Sequence, residues 1–167
     1  VSMLKGADQI SALDEIEAEI DNVRVSWRWA IRRGKLQEVE QSFDALFRFY
    51  MIRDHFQEGA QAFELAVNQF GDADNTFAAH LLLSLGIFGC MLGTLERIHI
   101  CIQKGVAILR RLGTHYITMP VPFIMFTNNA DLLGGYEAVS QFYQNYLIEA
   151  RRRGDRAIAY QTFMGTR

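Results

Sequence analysis

The side chains best suited to chemistry in this chain are four histidines, His55, His80, His99 and His115, and two cysteines, Cys90 and Cys101. Zinc sites draw on Cys or His pairs at C-x-x-C or H-x-x-x-H type spacings, and the chain has no such pair. The histidines therefore read as turn or groove residues. Both cysteines lie in apolar helical runs and read as buried free thiols in a reducing compartment. Glu15, Glu17 and Glu19 read as the exposed start of a helix rather than as an acid/base pair. The sequence has no G-x-x-x-x-G-K-[ST] phosphate loop, so nucleotide hydrolysis is not expected. These residue types point away from catalysis, metals and cofactors and towards binding. Asn128 and Asn129 could hold a peptide backbone, because an amide both donates and accepts; the alternative is ordinary helix surface.

Any such binding groups must be positioned by helices, because the chain reads as helical almost throughout. Half of the 167 residues are hydrophobic and 22% are charged, a balance that suits one folded domain with a sizeable core. Only two prolines occur, so long helices are permitted. A net charge of −2 argues against a nucleic-acid binder. Residues 1–75 carry 8 basic and 14 acidic side chains and residues 76–167 carry 9 and 5, an asymmetry that could support end-to-end packing or reflect local fluctuation. The opening stretch has no apolar core of a secretory signal, so a cytoplasmic location is expected. The most apolar run, 77–92, is short for a membrane span and carries His80, Ser84 and two glycines; it reads as a buried central helix.

A first helix is expected over 13–33. Acidic residues crowd its start, and Arg32 and Arg33 close it before Gly34, which suits the helix dipole. Leu13, Ile16, Ile20, Val23, Trp27 and Ile31 form one apolar stripe. Trp29 lies off that stripe and is expected to pack on a second neighbour. The segments "FQEGAQAFELAV", "LERIHICIQKGV" and "YEAVSQFYQNYL" begin at Phe56, Leu95 and Tyr136, spaced 39 and 41 residues apart. Aligned without gaps, they keep one helical face and end at Gly71, Gly113 and Gly154. "RRRGD" at 151–155 thus reads as a helix end, with arginines against exposed carbonyls and glycine as a cap, not as an adhesion signal.

Each of these helices follows another helical segment, at 36–51, 76–92 and about 121–133; "PVPF" at 120–123 starts the last. The unit is an antiparallel helix pair of about 40 residues. Stacked pairs bury faces that one pair leaves open, which favours an α-solenoid over the alternative of a closed bundle with accessory helices. The expected architecture is all-α, an α-α superhelix of about seven to eight helices in a single domain, 1–167. It comprises a leading helix at 13–33, pairs at 35–72, 76–114 and 120–155, and a truncated fourth repeat at 156–167, as in a fragment of a larger protein.

The repeated helices resemble tetratricopeptide repeats. Tyr136, Tyr143 and Leu147 fit that pattern, as do Phe56, Gly59, Phe63 and Ala66; Gly86 and Tyr50 fit in the first helices. The middle copy departs from it, with Leu95, Ile98 and Ile102. The stretch from Leu13 to Val67, with Glu17, Asp21, Asn22, Trp27, Trp29, Ala30, Gly34, Leu46, Phe49, Tyr50, Gly59 and Phe63, resembles the start of the helical region of bacterial STAND-type ATPases, the LuxR/MalT and AfsR kinds of regulator. In that family the array follows a nucleotide-binding module and senses an inducer or partner.

The resemblance implies a non-catalytic protein–protein interaction and signal-sensing domain. Its partner would be a protein, a peptide or neighbouring domains of the same chain, with no direct nucleic-acid contact and no membrane. By family analogy the first helices line a concave groove through Gln41, Asp44, Arg48 and Met51, then His80, Leu83, Ile87 and Cys90, then Val121, Ile124, Asn128 and Asp131. The apolar middle row is either a hydrophobic subsite or is buried by the first helix folding across it. The rival function is a small-molecule (inducer) binding regulatory domain with a pocket between helices.

Overall fold

The computed structural model describes residues 9–113, with side chains from Leu13 onward except at 95–99, together with Gln144 and Ile148. The described residues are all-α, with no strand among them. Six helices follow one another: α1 (Gln9–Ala18), α2 (Ile20–Arg32), α3 (Leu36–Ile52), α4 (Phe56–Phe70), α5 (Thr76–Leu92) and α6 (Leu95–Arg111). None of them is long and apolar enough to cross a membrane. The segments expected at 120–155 and 156–167 lie outside the described span, apart from Gln144 and Ile148, which are helical and exposed.

The helix expected over 13–33 begins earlier and is divided. Glu19 leaves helical geometry at φ −106° and ψ 11°, and its N–H is shared between the carbonyls of Glu15 and Ile16 at 3.3 and 3.2 Å. Because α1 starts at Gln9, the acidic run does not cap a helix start. Asp14 and Glu17 instead pair with Arg53 at the end of α3, the Glu17 contact at 3.0 Å. The apolar stripe is the inward face: Leu13, Trp27 and Ile31 are buried, and Ile16, Ile20 and Val23 are partly so. Trp29 is 53% exposed, beside Val25 at 65%. One helix face can meet only one set of neighbours, and α3 and α4 occupy the Trp27 side.

Short turns of one kind join several helices. The backbone N–H groups of Lys35, His55 and Thr94 donate back five residues to Ala30, Tyr50 and Gly89, at 2.9, 2.9 and 3.0 Å. This is the helix-ending pattern that needs a left-handed residue just before the donor. Gly34 and Gly93 supply it at φ 64° and 70°; Asp54 supplies it at φ 58° although it carries a side chain. Gly113 is also left-handed, whereas Gly71 stays right-handed at φ −72°, so the aligned terminator glycines do not share one conformation. Asn75 starts α5, its side-chain oxygen accepting from the Ala78 N–H at 2.8 Å.

Contacts give the direction of each helix. Gly86 of α5 faces Ile102 of α6 while Leu83 faces Gly105, so these two run antiparallel. Arg24 of α2 meets Glu58 of α4, and Trp27 meets Ala62, so α2 and α4 run parallel. Phe43 of α3 meets Phe77 edge-on and Tyr50 meets Phe88 of α5 in the same way, so α3 and α5 also run parallel. The core is an aromatic cluster around Phe63 and Phe88, whose ring centres lie 5.3 Å apart. Trp27, Phe43 and Phe47 surround Phe63 at 5.6, 5.6 and 6.0 Å. Such ring pairs add about 0.5–1.5 kcal/mol each beyond the burial of area. Gly59 admits Phe88 against α4, because a Cβ there would lie 2.5 Å from the ring.

Candidate functional site

The residues expected along a groove fall into three environments. On α3, Gln41 is exposed and Met51 is partly buried. Asp44 and Arg48 between them form an ion pair at 3.0 Å, one helical turn apart, with Arg48 12% and Asp44 28% exposed. This pair neutralises itself and presents an edge, not a free charge. On α5, Leu83 and Ile87 are buried at 5% and 3%, with Leu83 against Gly105 of α6. The α2 helix makes its main contacts with α3 and α4. His80 stacks on Phe43 with centroids 6.2 Å apart, and burial pushes its pKa down to about 4. Asn128, Asn129 and Asp131 lie outside the described residues, as do Val121 and Ile124. The structure thus brings Phe43, Asp44, Arg48 and His80 to the α3–α5 side and leaves Gln41 as its most open member.

A different site lies on the α2–α4 side, and sequence reasoning did not find it. Arg24, Trp27 and Arg28 of α2 face Glu58, Gln61, Ala62 and Leu65 of α4, with Tyr50 of α3 beside them. They line an open cleft of about 350 Å³, within the size range of small-ligand sites. The two helices run parallel, so residues at one-turn intervals on each form facing strips. The Trp27 indole N–H donates to the Ala62 carbonyl at 3.0 Å, which fixes the ring as a wall.

Charge in this cleft is unevenly satisfied. Arg24 donates to Asp21 at 2.9 Å and to Glu58. Burial works against its charge, but hydrogen bonds with Tyr50, Asp21 and Glu58 outweigh that, so its pKa is raised. Tyr50 is 1% exposed, and burial raises its hydroxyl pKa against the opposing effect of Arg24. Arg28 is exposed and makes no ion pair among the described residues. The only signal in the sequence was a pair of arginines four apart on one helix; the facing wall comes from α4, thirty-odd residues away.

A smaller hollow of about 150 Å³ lies between α4, α5 and α6, lined by Glu64, Gly89, Leu92, Thr94 and Cys101 among others. Among the described residues no group of three His, Cys, Asp or Glu side chains could hold a metal ion. No family model, curated protein or solved structure matches the chain.

Proposed function

We propose that this chain is a non-catalytic interaction and signal-sensing scaffold, a tetratricopeptide-like stack of helix pairs serving a cytoplasmic bacterial regulator of the STAND type. The observation that supports it most is the packing of alternate helices. The helix α2 packs directly on α4 and runs parallel to it, α3 runs parallel to α5 and meets it through aromatic rings, and α5 and α6 close antiparallel. Direct packing of alternate helices, as α2 makes with α4, is what a stack of helix pairs requires. The α3–α5 face carries Gln41, the Asp44–Arg48 pair and His80, a mixed polar edge suited to a peptide. The α2–α4 face carries the cleft, which supports an inducer pocket as the second reading.

Two measurements test this. Small-angle scattering on the chain should give an elongated particle; a compact sphere would count against the array. A peptide-array screen should yield binders that shift the backbone amide signals of Gln41, Asp44 and Arg48 and that weaken on Gln41→Arg. Binders that ignore this row would remove the groove reading.

A further inference from the structure

The α2–α4 cleft has a chemistry that selects its ligand. We infer that it binds a small organic monocarboxylate carrying an apolar body, with Arg28 as the residue that receives the carboxylate. This deepens the sensing reading and rests on it for its purpose, but the site is on the opposite helix row from the peptide edge.

Arg28 lines the cleft, is exposed, and has no acidic partner among the described residues. A guanidinium presents a planar fork that matches a carboxylate with two parallel hydrogen bonds. Arg24 is not available for the same task, since Asp21, Glu58 and Tyr50 already engage it. Its role is to hold Glu58 against α2 and keep the strips facing. Arg24 is shared between Asp21 and Glu58, which leaves Arg28 as the one cation of the lining without a carboxylate among the described residues. One carboxylate pairs it. A phosphate dianion would bring a second negative charge near the Glu58 carboxylate, which repels it.

The rest of the lining fits the body of such a ligand. Ala62 and Leu65, the latter 45% exposed, give an apolar floor and rim, with Trp27 held beside them. Gln61 adds an exposed amide that can donate to the second carboxylate oxygen.

The test is a titration of the whole chain followed by the two indole N–H signals in a proton–nitrogen correlation spectrum. Trp27 lines the cleft, and Trp29 is exposed away from it and serves as the internal reference. The probes are 3-phenylpropionate, its neutral amide and inorganic phosphate. Saturable movement of the Trp27 signal with 3-phenylpropionate is expected, with little movement of Trp29. Arg28→Gln should weaken binding about tenfold or more, and Arg28→Lys, which keeps the charge without the fork, by less. Arg32→Gln, outside the cleft, should leave it unchanged. Equal binding of acid and amide, tighter binding of phosphate, an unaffected Arg28→Gln, or no saturable shift would each overturn the assignment. Gln41→Arg leaves this titration intact, so loss of peptide binding and loss of carboxylate binding report on separate claims.

Discussion

Replacing Gly59 by alanine should destabilise the protein even though alanine is the better helix former. In an exposed helix interior the exchange gains about 1 kcal/mol. Here the new Cβ would lie 2.5 and 2.6 Å from Cε1 and Cζ of Phe88, about 1 Å inside ordinary contact. The ring cannot swing aside, because it is fully buried and Phe63, Phe47 and Tyr50 lie 5.3, 5.5 and 6.4 Å from it. Overpacking of this kind costs about 1–3 kcal/mol. Because α4 must separate from α5 along its length, the upper part of that range applies. The net loss is then about 1–2 kcal/mol, which for a chain of this size lowers Tm by roughly 3–6 °C. Urea denaturation and thermal melts of Gly59→Ala, Phe88→Leu and the double variant form the assay. Phe88→Leu removes the atoms that collide, so the double variant should be more stable than the sum of the singles by about 1 kcal/mol or more. A Gly59→Ala protein as stable as its parent, or strictly additive effects, would show that α4 and α5 do not approach as described.

Asp54→Gly should raise stability by about 0.5–1 kcal/mol, since φ 58° is costly for a residue with a Cβ; chemical denaturation reads it, and a loss would refute it. Ser84→Ala should stabilise by about 1 kcal/mol, because the Ser84 hydroxyl is fully buried with no hydrogen-bond partner among the described residues; an equal loss would point to a bond that the hydroxyl makes. His80 is held neutral, with a folded pKa near 4 against about 6.5 unfolded, so its contribution is complete above pH 6.5 and is lost as pH falls towards 4. Discounting for partial exposure, that loss is about 1–2 kcal/mol. His80→Leu should abolish this limb of the stability profile, and parallel profiles for the two proteins would exclude His80 as its source.

Helix positions from 36 to 111 were legible in the sequence because two local signals agreed there. Apolar residues recur at helical spacing, and Gly, Asn or Asp interrupts them at each end. The starts at Leu36, Phe56, Thr76 and Leu95 follow from that agreement, and the buried positions Gly59, Phe63 and Ala66 follow from the repeated face. What failed depended on tertiary partners. The acidic run at 14–17 looked like a dipole cap, yet its use is to meet Arg53 from a later helix. Trp29, off the stripe, is expected to pack on a second neighbour, yet it is 53% exposed. Asp54 adopts a glycine conformation with nothing in its identity to announce it. The cleft was invisible for the same reason: its two walls are 34 residues or so apart in sequence, and only their parallel alignment joins Arg28 to Gln61 and Leu65. Leu83 and Ile87 allowed either a groove or a core reading; both are buried, Leu83 against Gly105 of α6.

The shared turn around Gly34, Asp54 and Gly93 makes those three junctions a standard fitting. A helix leaves its predecessor through the same backbone bond whatever side chains flank it. A helix pair cut at two such turns could be duplicated, deleted or exchanged with its neighbours still meeting a compatible end. Length thus becomes the property that tandem duplication can vary cheaply, while the angle between successive helices is inherited. A designer could splice a further pair at Gly93 and expect the splice itself to add no new strain.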